Sequence, residues 1–150
     1  MNRLGTLCLV LVPACSIVSA HEPVSRPPAA AVNADMASKA AAWLDSLDDR
    51  QRQAASFPFD SDERLNWHFI PRERLGLPIK QMSLTQRRLA YGLLRSGLSH
   101  EGYLKATTIM SLEGILRELE KDRPGNEARR DPEKYWLSVF GTPSASEPWG

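Results

Sequence analysis

Apolar side chains recur at every third or fourth position through three stretches of this chain, a spacing that lays them along one face of an α-helix. The first set is Met36, Ala40, Trp43, Leu44 and Leu47, and it follows Asn33, a side chain suited to cap a helix N-terminus. Ser46-Leu47-Asp48-Asp49 then has the form of a capping box with Asp where Glu is usual, which predicts a break at Ser46 and a short second helix over 47–55. A complete box, Ser83-Leu84-Thr85-Gln86, opens the second set, Leu84, Leu89, Leu93 and Leu94, which stops around Gly97. Ser99 caps the third, where Tyr103, Ala106, Met110, Leu112, Ile115, Leu116 and Leu119 run toward Pro124-Gly125. The link between Gly97 and Ser99 is so short that these two helices are expected to lie side by side with their leucine faces sandwiched.

Two stretches keep a different rhythm. After a turn at Pro58 and Asp60-Ser61-Asp62, Leu65, Trp67 and Phe69 alternate with Arg64, Asn66 and His68. A period of two predicts a strand that buries the aromatic face and presents the polar one. Residues 135–140 are apolar at both parities and read as a buried strand ending at Gly141-Thr142-Pro143, behind a charged loop over 126–134. The expected fold class is therefore α+β, a helical N-terminal half with an α-hairpin packed on a small, incomplete sheet. Two strands make a poor sheet, and the chain ends on Glu147-Pro148-Trp149-Gly150, so the expectation is a front part of a longer domain or a sheet completed by a partner.

Charge and composition narrow the class further. The 150 residues carry 19 basic and 18 acidic side chains, a balance that favours neither nucleic acid nor an anionic membrane as partner. Residues 1–20 combine Arg3, an apolar run from Leu7 to Val12 and a Val18-Ser19-Ala20 end before His21, the pattern of a cleaved secretory signal. That run is too short to span a bilayer. Export to the periplasm or the extracellular space follows as an expectation, with a lesser alternative: Val12-Pro13-Ala14-Cys15 loosely fits a lipoprotein processing site that would leave Cys15 lipidated. Cys8 and Cys15 both precede His21, so cleavage there would leave no thiol. Residues 21–33, with Pro23, Pro27 and Pro28 among alanines, read as a tether, and 34–150 as one domain.

Candidate chemistry concentrates in FPFDSDERLNWHFIPRER, residues 57–74. Arg64, Asn66 and His68, spaced by two, would project together, and Arg72, Glu73 and Arg74 follow Pro71. Such a cluster can bind an anionic or carboxylate ligand, the guanidiniums giving bidentate hydrogen bonds and His68 an imidazole able to donate or accept a proton. The structural alternative pairs Arg64 with Glu73 and sets Asn66 and His68 on loop carbonyls. A metal site is not expected, because His21, His68 and His100 are scattered and no ligand spacing surrounds them. Ser83, Ser96 and Ser99 are better read as caps than nucleophiles, and no phosphate-cradling glycine loop is present. The Arg87-Arg88 and Arg129-Arg130 pairs, flanked by acids, read as solvated faces. Trp43, Trp67, Tyr103, Tyr135, Trp136 and Phe140 read as core rather than as a ligand platform.

Four segments in order resemble the family grouped as domain of unknown function 3500: FPFDSDERLNWHFIPRERLGLP at 57–78, LLRSGLS at 93–99, GYLKATTIMSLEGILRELE at 102–120 and RRDPEKYWLSVFGTPS at 129–144. The resemblance runs from about Ala34 to the end. It implies exported bacterial, and some fungal, proteins roughly twice as long, in which Pro-Trp-Gly is followed by an aromatic strand and a paired-histidine motif. In that setting this chain would contribute part of a small-molecule or metal-dependent site, its cofactor unspecified. The alternative is a non-catalytic extracytoplasmic binding or scaffold module.

Overall fold

The computed structural model describes residues 27–68, 72 and 74–150, so the expected secretion signal, Cys15, Phe69, Ile70, Pro71 and Glu73 lie outside the described residues. The fold is α+β with helical bulk. In chain order come α1 (Ala29–Asp45), α2 (Asp49–Ala55), β1 (Ser56–Phe57), a 3₁₀ turn (Asp62–Leu65), β2 (Leu77–Pro78), a 3₁₀ turn (Ile79–Gln81), α3 (Leu84–Gly97), α4 (His100–Leu119), α5 (Asn126–Arg129), β3 (Trp136–Leu137) and β4 (Val139–Phe140).

α1 starts directly behind Pro28, four residues before the expected cap at Asn33, so 29–33 is helix and not tether. Alanine is the strongest helix former and proline is tolerated at a helix start, which sets the boundary at the Pro27-Pro28 step. The break falls at Ser46 as expected, with Ser46 Oγ donating to the Trp43 carbonyl at 2.6 Å. The capping box, however, is Asp48 with Gln51: Asp48 Oδ1 accepts from Gln51 N at 2.8 Å and Gln51 Oε1 accepts from Asp48 N at 3.2 Å. This shift leaves Leu47 outside both helices and free to bury its side chain. The Ser83–Gln86 box forms as predicted. Its Gln86 is buried and donates from Nε2 to the Ser46 carbonyl (2.9 Å) and Gln51 Oε1 (2.7 Å), joining the starts of α2 and α3 to the end of α1.

The core gathers where α1 and α3 meet the strands. Trp43 (0% exposed), Leu77 (1%) and Val139 (2%) are its largest fully buried side chains, with Leu44, Leu47, Ala55, Met82 and Ala90 around them. α3 packs mainly on α1 and touches α4 sparingly, so the expected leucine sandwich of the hairpin does not form. Leu98 and Ser99 are extended, which turns the chain between the two helices. α4 buries only Met110, and Leu104, Ile109, Leu112, Ile115 and Leu119 face outward.

The apolar stretch 135–140 is two strands, not one. β4 pairs in parallel with β1 (Ser56↔Val139, Phe57↔Phe140), and β3 pairs antiparallel with β2 (Leu77↔Leu137, Pro78↔Trp136). Gly76 permits that second pairing. It has φ +110°, and a Cβ there would fall 2.4 Å from Ser138 Oγ. The predicted strand after Arg64 is absent from its described part. Ser61 Oγ accepts from Glu63 N at 3.3 Å and starts the 3₁₀ turn, residues 66–68 take no regular structure, and Leu65 (76%) and Trp67 (78%) are exposed. Alternation does not make a strand without a neighbouring edge to receive its backbone groups.

Candidate functional site

The segment from Gly125 to Trp136 is irregular for most of its length, yet side chains from three directions tie it down. Arg87 of α3 forks onto Glu133, one arm reaching Oε2 at 2.9 Å and the other Oε1, while its Nε donates to the Met82 carbonyl at 3.1 Å. Lys80 Nζ donates to Asp131 Oδ2 at 2.8 Å, and Asp131 Oδ1 accepts from Glu133 N at 2.9 Å. From the α4 side, Arg130 donates to both oxygens of Glu120 (2.8 and 3.1 Å) and to Glu113 at 3.4 Å. The backbone joins in, with Ile79 N donating to the Tyr135 carbonyl at 2.9 Å. Gly125 (φ +74°) supplies the left-handed residue that reverses the chain before α5.

Charge pairing shifts the titration of these groups. The hydrogen bond from Lys80 holds the Asp131 carboxyl below its ordinary value, and in return Lys80 is raised. The hydrogen bond from Arg130 lowers Glu120 in the same way. Burial pushes the Tyr135 phenol up, and the Glu113 carboxylate adds to that.

A cleft of about 860 Å³ opens between this segment and the residues near Arg72. Its volume falls in the range of small-molecule sites. Five cations reach its lining, Arg72, Arg74, Arg129, Arg130 and Lys134, against two carboxylates, Glu113 and Asp131, and the rings of Tyr135 and Trp136 form the remaining wall. Both carboxylates are already engaged, by Arg130 and Lys80. Lys134 Nζ donates to the Ala128 carbonyl at 3.3 Å, and the exposed Arg129 guanidinium makes no hydrogen bond or ion pair among the described residues. Among the described lining residues cations therefore outnumber carboxylates, although Arg130 is itself paired with Glu113 and Glu120.

Of the six residues nominated by sequence, Arg72 and Arg74 line this cleft. Arg64 does not; its guanidinium stacks over the Phe59 ring, 4.4 Å from the centroid. Asn66 and His68 form a local knot outside the lining. Asn66 Nδ2 donates to Glu63 at 2.7 Å, and Asn66 Oδ1 receives Arg72 and lies 3.0 Å from His68 Nε2. The His68 carbonyl accepts from Arg74 at 2.6 Å. Glu73 is outside the described residues. Sequence reasoning assigned Arg129-Arg130 to a solvated face and Tyr135-Trp136 to the core. The signal that could have found them was the run Arg129-Arg130-Asp131-Pro132-Glu133-Lys134 directly followed by two aromatic rings.

Among the described residues, no three histidine, cysteine, aspartate or glutamate side chains come together as metal ligands, and no helix is long and apolar enough to cross a membrane. The family described as protein of unknown function (DUF3500) matches residues 29–150. Comparison with curated proteins and with solved structures returned no match.

Proposed function

We propose, for a chain that belongs to the DUF3500 family of proteins of unknown function, that it is exported and binds a small anionic molecule in the cleft between Arg72 and Trp136. One observation carries this reading: five cations line one cleft, among which Arg129 makes no hydrogen bond or ion pair with a described residue and Lys134 meets only a backbone carbonyl. Guanidinium groups recognise carboxylate and phosphate oxygens by paired hydrogen bonds, and fixed cations nearby raise the local anion concentration. The same excess of positive charge opposes a metal cation, so the anion is favoured over a metal-dependent site. Export rests on the Arg3, Leu7 to Val12 and Ala20 pattern, and a mature chain that begins at His21 on N-terminal sequencing would support it.

The test is a titration with inorganic phosphate at low ionic strength, followed by calorimetry. Binding should weaken on adding salt, and Arg129→Glu should weaken it about tenfold or more without lowering the melting temperature. Equal phosphate binding by both proteins, or none by either, would remove the reading. A second reading, a non-catalytic scaffold module, is favoured by the outward-facing leucines of α4. No phosphate binding together with self-association of the chain would move the assignment there.

A further inference from the structure

A second hollow, a groove of about 260 Å³, lies between α3, α4 and the start of the C-terminal strands. Its walls are almost wholly apolar, with Ile79, Leu94, Ile109, Met110 and Leu137 prominent. Tyr135 and Trp136 line this groove and also the basic cleft. The two hollows therefore share one pair of aromatic residues, with a cationic lining in one and a hydrocarbon-like lining in the other.

The geometry points to a single-chain anionic amphiphile as the ligand, its head group among Arg72, Arg129 and Lys134 and its alkyl chain laid across Tyr135 and Trp136 into the α3–α4 groove. This rests on the anion-binding reading above and narrows it to a ligand class. Aromatic side chains with one polar end sit naturally at such a boundary, since the ring covers apolar surface while a phenol hydroxyl or an indole N–H can face a polar side. The groove alone would hold any small apolar body. What selects a charged amphiphile is the pair of residues that lines both hollows, because a chain that fills the groove and crosses Tyr135 and Trp136 brings its own end group to the cations. A free monomer fits better than a lipid still in a bilayer. Arg87 and Glu133 act on Tyr91 of the groove lining and Lys80 follows Ile79, so the Arg87–Glu133 and Lys80–Asp131 ion pairs would have to enter the headgroup region if the protein docked on a membrane.

The experiment compares inorganic phosphate, a series of alkyl phosphates from butyl to octyl below their micellar concentrations, and octan-1-ol, by calorimetry on the full chain. Each added methylene should tighten Kd by about threefold to fourfold until the groove is filled. Ile109→Glu, at an exposed position on the groove wall, should abolish that dependence on chain length and leave phosphate affinity unchanged. Arg129→Glu should weaken every phosphate ligand by a similar factor. If octyl phosphate binds no more tightly than inorganic phosphate, the amphiphile is excluded and the anion site stands. If octan-1-ol matches octyl phosphate and Arg129→Glu changes neither, the anion reading itself is wrong, and with it this one. Retention on anionic lipid vesicles with no affinity for monomeric octyl phosphate would also overturn the proposal, in favour of a membrane surface.

Discussion

Trp43 and Trp67 occupy regions built in opposite ways. Trp43 lies in α1, a helix whose backbone hydrogen bonds are satisfied within the segment, so its apolar stripe is free to pack and the indole is fully buried against α3 and β4. Trp67 follows a 3₁₀ turn in a stretch whose order comes from short polar contacts among Glu63, Asn66, His68 and Arg72, and its indole is exposed. The difference teaches that apolar pattern places a side chain only where the local backbone is self-sufficient. A stretch that needs an external partner for its backbone is placed by whatever the rest of the chain offers.

The strongest way to break this contrast is to truncate each ring. Trp43→Ala should cost about 3–5 kcal/mol in chemical denaturation, and Trp67→Ala less than about 0.5 kcal/mol. Equal losses would show that the two regions are held alike. Next in size is Arg87→Met, which removes the fork from Glu133 between α3 and the 125–136 segment. The pair is partly exposed, so the expected loss is about 1–2 kcal/mol. Phosphate affinity should fall with it, because Tyr135 and the nearby cations lose their support. Unchanged affinity would mean that the cleft does not depend on that anchor.

The smallest effect expected is an acid-induced loosening confined to the 113–136 side. Asp131 and Glu120 both have lowered carboxyl values in the fold, so their pairs stabilise it above the ordinary carboxylate range near pH 4. That stability is lost as the pH falls through the lowered values. Hydrogen exchange at decreasing pH should open residues 130–135 before α1 and α3, and Asp131→Asn should reduce the pH dependence. Simultaneous opening of both regions would erase the distinction.

Much of the helical layer was legible because its signals are local. Ser83 and Gln86 lie three residues apart and close their box whatever surrounds them. The errors share the opposite property. Ser46-Leu47-Asp48-Asp49 lost the cap to Asp48 and Gln51 because Gln51 also meets Gln86 of α3, 35 residues away. Stretch 135–140 read as one strand because its own residues give no sign that β2 and β1 will each claim half of it. Of the candidate site, Arg72 and Arg74 were nominated and Arg129, Arg130 and Lys134 were not, since a run of mixed charge looks the same whether it faces solvent or lines a cleft.

What the sequence determined by itself is the helical bulk of the α+β class, the starts of α3 and α4, and the core position of Trp43, all fixed by hydrogen bonds or periodicities within a few residues. Only the tertiary structure decided that α3 would pack on α1 and leave the outer face of α4 open, and that two arginines after Pro71 would share a cleft with the charged segment before Tyr135. Those outcomes depend on where Lys80, Arg87 and Glu113 come to stand relative to Asp131, Glu133 and Arg130. Ion pairs between residues 17 to 51 positions apart are set by the packed fold, and no local spacing encodes them.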